Sequence, residues 1–313
     1  MLWLLLAFTS AALLGFYDVC KKHALRGNDV LTVLWLNTLF CSLLFVPAIL
    51  MSASGYIDSG SMYYVPATSF EEQKYIMLKA VIVLSSWLCG YYGMKWLPLT
   101  IVGPINATRP VMVLVGAMLV FGERLNVFQW VGVLLAIASF FLLSRSGKRE
   151  GIDFRHNRWI VLVVLAAMLG AVSGLYDKYL MAPADNGGVE INRMAVQSYY
   201  NLYQLALMTI AVTLMRRHQH HSNVEKRKVP SSFRWIWTIP LISLFLSIAD
   251  FAYFYALSVP GAMISIVSMI RRGSVVVSFF VGAMVFHEKN LRSKAVDLAL
   301  VLIGMVFLYL GSK

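Results

Sequence analysis

Residues 264–288 read ISIVSMIRRGSVVVSFFVGAMVFHE, an almost unbroken apolar run with Arg271 and Arg272 set in its middle. The run is long enough to cross a bilayer as one helix. An arginine at the centre of such a helix costs about 2.5–3.5 kcal/mol on insertion scales, so neither side chain is expected to face lipid. Neighbours on a helix point about 100° apart, so the two can share a broad cavity or divide between a cavity and a partner helix. Two uses are open to them: burial against a carboxylate elsewhere, or a cationic site for an anionic ligand group. Either use requires a bundle of helices around this stretch.

Composition says what kind of bundle. Of 313 residues, 59% are hydrophobic and 13% charged, with mean hydropathy +0.71, which is outside the range of soluble globular domains. Apolar runs place ten spans at 2–20, 31–51, 75–95, 99–121, 127–143, 159–181, 191–215, 235–257, 261–286 and 295–310. The expectation is an all-α, multi-pass membrane protein of ten transmembrane helices. Its loops are too short to hold a soluble catalytic domain. A net charge of +12 would suggest nucleic acid in a soluble protein. Here the basic residues lie in short loops, where they act as topology signals and contacts for anionic lipid, and no nucleic-acid partner is expected. They concentrate after odd-numbered spans, which predicts cytoplasmic odd loops and both termini outside. Cys20, Cys41 and Cys89 lie in or beside apolar runs without metal-ligand spacing. The first run lacks a basic leader and a small-residue cleavage site before Tyr17-Asp18, so no cleavable signal is expected.

The two halves repeat. Gly15-Phe16-Tyr17-Asp18 recurs as Gly174-Leu175-Tyr176-Asp177. Ser85, Tyr91, Tyr92 and Pro98 recur as Ser247, Tyr253, Phe254 and Pro260. Val120-Phe121-Gly122-Glu123-Arg124 recurs as Val285-Phe286-His287-Glu288-Lys289. The order is kept throughout. This divides the chain into residues 1–147, a charged linker 148–158, and residues 159–313. Five spans is an odd number, so the second copy enters the membrane the other way up, giving the inverted repeat of secondary transporters.

With those pairs in view the chain resembles the drug/metabolite transporter superfamily, EamA type, over nearly its whole length. The resemblance rests on two five-helix repeats, each ending its fourth helix in a small residue or His, then Glu and a basic residue. It implies ATP-independent export or import of a small metabolite, often an amino acid, across a membrane such as the bacterial inner membrane. The adjacent Arg271-Arg272 also look similar to the basic pair in the ninth helix of plastid phosphate translocators. The nucleotide-sugar members carry an Asn-Lys pair there instead. That local likeness implies an anionic substrate.

The candidate substrate site is Arg271, Arg272, Arg109, Asn106, Tyr92 and Tyr253. Arg109 and Arg271 follow Pro98 and Pro260 at similar distances and are candidate partners in one cavity. Asp250, deep in an apolar run, either compensates a buried arginine or carries a coupling proton. Tyr17, Asp18, Tyr176 and Asp177 lie near the ends of spans one and six, as gates or as interfacial anchors. Glu123 and Glu288 are expected to be structural, pinning the turn and adjacent backbone. The run His218, Gln219, His220, His221 sits in a basic loop without a carboxylate pattern, so neither metal nor cofactor is expected. No catalytic dyad appears, and an enzyme reading ranks below a transporter and a flippase of lipid-linked substrates.

Overall fold

The computed structural model describes residues 2–112, 126–148, 156–181, 184, 187–221, 233–259, 267, 270–288 and 291–311. Among these residues there are ten helices and no strand: α1 Leu2–Ala24, α2 Val30–Ala53, α3 Phe70–Trp96, α4 Leu99–Ala107, α5 Val127–Lys148, α6 Arg158–Met181, α7 Arg193–His221, α8 Thr238–Ser258, α9 Ser274–Phe286 and α10 Leu291–Gly311. Six stretches are long and apolar enough to cross a membrane: α1, α2, α3, α6, Thr238–Ala256 of α8 and Lys294–Gly311 of α10. Three of the other helices fall short for different reasons. α4 and α9 are brief, with 9 and 13 residues. α7 is long but buries Gln197, Ser198, Asn201 and Gln204, which lower its hydropathy.

Local chemistry fixes where the helices start and stop. Asp29 caps α2, accepting a hydrogen bond from the Thr32 amide at 3.1 Å. Ser69 and Glu72 form a reciprocal capping box, so α3 begins at Phe70, five residues before its apolar run. α1 likewise continues past Cys20 to Ala24, and its Lys21 and Lys22 are buried. The Lys22 ammonium donates to the Met94 and Leu97 carbonyls at 2.6 Å each, capping the end of α3. It therefore sits inside the bundle, not in a topogenic loop.

The fourth span of the sequence reading is broken. α4 stops at Ala107, Thr108 turns, and helix resumes at Arg109. Pro110 has no amide hydrogen to donate to the Asn106 carbonyl, which removes the bond that would carry the helix across. The ninth span is broken at Gly273, between the helical turn Ile270–Arg272 and α9. A Cβ on Gly273 would lie 2.8 Å from the Ile270 carbonyl oxygen, so only glycine fits that turn. Both breaks thus fall beside the arginines.

Packing pairs the helices across the chain. α1 lies along α8, α3 along α6, α2 along α7, α5 along α10 and α4 along α9. α4 and α9 run antiparallel: Gly103 faces Val275 while Leu99 faces Gly282. α2 and α7 do the same, with Ser42 donating to the Asn201 carbonyl and the Trp35 indole to Thr209. The first orphan amides of α4 have no side-chain cap of their own behind Pro98. Glu288 supplies it from the far end of α9, accepting from the Leu99 and Thr100 amides at 2.8 and 3.0 Å and from the Thr100 hydroxyl. So Glu288 is structural, as the sequence suggests, and the backbone it pins is the start of α4. Glu123, its counterpart, lies outside the described residues.

Candidate functional site

The paired helices enclose a cavity of about 190 Å³. Its charged lining comprises Asp18 and Lys21 of α1, Lys79 of α3, Arg109 beyond α4, Asp177 of α6, Asp250 of α8, and Arg271 and Arg272 before α9. That is five cations against three carboxylates, all taken from helices and not from surface loops. Tyr17, Trp87, Tyr91, Tyr200, Tyr253 and Phe254 supply the aromatic wall.

Each carboxylate has its own cation. Lys21 reaches Asp18 at 2.8 Å, one helical turn away on α1. Lys79 pairs with Asp177, joining α3 to α6. Arg271 pairs with Asp250, which also accepts from the Tyr200 hydroxyl at 3.0 Å. Removing either partner from such a buried pair leaves a naked charge, so the two pairs that join elements tie α3 to α6 and α8 to the turn before α9 around one space.

Two cations are left over. Arg109 donates to the neutral amide oxygen of Asn106 at 3.0 Å, and its Nε is buried without a hydrogen-bond partner. Its guanidinium lies flat on the bare backbone of Gly170 in α6. A Cβ there would stand 2.6 Å from Nη1 and 2.7 Å from Cζ. Arg272 has no carboxylate within ion-pair distance among the described residues. Both guanidiniums line the same cavity. A buried cation without a counter-ion is costly, and an anionic ligand held by paired N–H bonds is what would relieve it.

The sequence candidates divide accordingly. Arg109, Asn106, Arg271, Arg272, Asp250, Tyr253, Tyr17, Asp18 and Asp177 all line the cavity. Asp18 lies further inside its helix than the sequence reading placed it, because α1 continues to Ala24, while Asp177 lies in the closing turns of α6; both are in ion pairs. Tyr92 does not line the cavity; it packs against the apolar core, and its neighbour Tyr91 takes the position. Tyr176 also points away, donating to the Tyr75 carbonyl at 3.2 Å and stacking on Tyr179. α7 continues as helix through His221, where a loop was expected, and the side chains of His218, His220 and His221 lie outside the described residues. Among the described residues no three His, Cys, Asp or Glu side chains come together as a metal site would need.

Lys21, Lys79, Tyr200 and Gly170 are among the cavity residues that sequence reasoning missed. Lys79 had a signal: the capping box that starts α3 at Phe70 puts it nine residues inside the helix, too deep to snorkel. Gly170 had none, since its role depends on a side chain sixty-one positions away in the chain.

Comparisons with known proteins agree with this architecture. The EamA-like transporter family matches residues 1–145. A protein of Archaeoglobus fulgidus described as an uncharacterized transporter is 21% identical over 156 residues, 48% of this chain and 50% of its own length. The chain thus spans about half of that relative. A solved crystal structure superimposes with a TM-score of 0.61 at 14% identity, covering 98% of this chain and 97% of its own, a likeness of fold. With its long apolar helices, the chain is a multi-pass integral membrane protein.

Proposed function

We propose that this protein is a secondary transporter that moves a small anionic metabolite across a membrane by alternating access, and that Arg109 and Arg272 bind the anionic group. The observation that carries the reading is the pair of cavity guanidiniums without carboxylate partners, one from each half of the chain. Intramembrane charges that face a cavity mark a ligand path by default. Arginine suits the task because its planar fork gives a carboxylate or phosphoryl group two parallel hydrogen bonds. A cavity of about 190 Å³ limits the ligand to something smaller than a drug-sized molecule.

The ten-helix, two-repeat architecture belongs to the same proposal. Exchanging residues 1–147 with 159–313 maps α1 on α8 onto α6 on α3, and maps α2–α7, α4–α9 and α5–α10 each onto itself. The observed helix pairs obey that exchange, and the self-mapped pairs α2–α7 and α4–α9 run antiparallel. This supports an axis in the membrane plane with the site between the halves. In such an arrangement the bonds that cross between halves are the ones that exchange when one half rocks. Glu288 on α4, and Asn28 against the Arg234 backbone, are of this kind.

Uptake into proteoliposomes, with panels of anionic, zwitterionic and cationic metabolites, tests the proposal. An anion should be taken up without chemical change, and Arg109→Gln or Arg272→Gln should abolish its uptake. Best uptake of a cation, or a chemically altered product, would sink the reading.

A further inference from the structure

We infer that the ligand of this cavity is an anion without an ammonium group: a small organic acid or phosphorylated compound, and not an amino acid. The inference rests on the anion reading above and concerns what the rest of the ligand carries. An ammonium group that leaves bulk water for the cavity needs a carboxylate, or failing that an aromatic face over which to sit. Here all three carboxylates, and every ring of the lining except Trp87, already face one of the protein's own cations.

The carboxylates come first. Asp18 holds Lys21, Asp177 holds Lys79 and Asp250 holds Arg271. Lys21 and Lys79 are only 7% and 3% exposed, so a ligand ammonium that captured either carboxylate would strand a buried lysine. The exchange replaces one ion pair with another and leaves a naked charge behind, which makes it unfavourable.

The rings follow the same pattern. The Lys21 ammonium stands 4.2 Å from the centre of the Tyr17 ring and 5.2 Å from that of Tyr91. Lys79 stands 5.2 Å from the Tyr200 ring, and the Arg271 guanidinium lies 4.1 Å over Tyr253. Trp87 is the large ring of the lining with no such cation recorded on it among the described residues.

What the cavity still offers is donors. The Nε–H of Arg109 is buried without a hydrogen-bond partner, and the guanidiniums of Arg109 and Arg272 both line the cavity. Together with the unpaired charge of Arg109 and Arg272, these groups ask for acceptor oxygens. A carboxylate or phosphoryl group brings acceptors and negative charge to a lining that holds five cations against three carboxylates, whereas an α-amino group adds a further positive charge and three donors.

Matched probes isolate this claim. Thermal melting of the purified full-length protein in detergent would be followed with succinate against aspartate, and with ethyl phosphate against phosphoethanolamine. Each pair differs by one ammonium group. The expected result is that succinate or ethyl phosphate raises the melting temperature, and that its ammonium-bearing partner needs at least about tenfold more for the same shift, a difference of roughly 1.4 kcal/mol. Which of the two responds identifies carboxylate or phosphoryl as the preferred group. The shift should vanish in Arg272→Gln and in Arg109→Gln, two variants so that a folding defect in one does not decide the matter. Aspartate or phosphoethanolamine acting at equal or lower concentration than its partner would overturn the inference while leaving the anion reading intact. Stabilisation by putrescine, with none from the four anion-bearing probes, would overturn both.

Discussion

Arg109 and Arg271 each follow a proline, Pro98 and Pro260, at the same spacing and each lie beside a break in a helix, yet they are electrostatically opposite. Arg271 meets Asp250 and lies over the Tyr253 ring, so its charge is balanced within the protein. Arg109 meets a neutral amide and a glycine, so its charge is not. The helix break decides where the guanidinium goes. The helix opposite decides whether its charge is spent: α8 presents an aspartate, whereas α6 presents bare backbone. Arg272, adjacent in sequence to the balanced arginine, sides with Arg109. A pair that looks like one feature in the sequence is two features in space.

The largest expected effect breaks the balanced side. Asp250→Asn leaves Arg271 unpaired in a buried site and should cost about 3–5 kcal/mol, read as a lowered melting temperature in detergent. Adding Arg271→Gln to that variant should recover most of the loss. The unbalanced side should respond in the opposite sense. Arg109→Gln removes a charge that nothing compensates, so stability should hold or rise while anion binding loses about 1.5–3 kcal/mol, roughly ten- to 150-fold in affinity. Loss of stability in Arg109→Gln as deep as in Asp250→Asn would erase the distinction between the two arginines.

Smaller effects sharpen it. Gly170→Ala places a methyl group against the Arg109 guanidinium and should cost about 1–3 kcal/mol through overpacking, with anion affinity falling as the arginine is displaced. Gly174→Ala, one turn further along α6, meets nothing within 4 Å and serves as the control for stability alone, since Gly174 also lines the cavity; stability should be unchanged apart from a gain in helix propensity. Glu288→Gln weakens the cap on α4 and should cost about 0.5–2 kcal/mol in melting experiments. It tests whether the second half holds the helix that leads to Arg109.

Much of this was legible in the sequence, for a physical reason. Charge within an apolar run is expensive, so Arg109, Asp250, Arg271 and Arg272 announced a shared interior, and all four line one cavity. The rotational phase was not legible. α3 is apolar around most of its circumference, and nothing in its periodicity separates Tyr91, which faces the cavity, from Tyr92, which does not. Helix ends misled as well. Ending α1 at Cys20 turned Lys21 and Lys22 into loop charges, whereas both are buried and engaged. Two of the positive charges behind the predicted topology are therefore structural. The division of labour between Arg271 and Arg272 depends on what α8 brings within reach, and no local pattern in residues 264–288 encodes it.

The most direct test of the central claim compares anion binding in Arg272→Gln with binding in the double variant Asp250→Asn/Arg271→Gln. The double variant removes one cation and one carboxylate, so the cavity's net charge is unchanged. Melting-temperature shifts with the better of succinate and ethyl phosphate give the readout. Binding should survive in the double variant and be lost in Arg272→Gln. Binding that is lost in the double variant and kept in Arg272→Gln would show that the balanced arginine holds the anion, and would contradict the account.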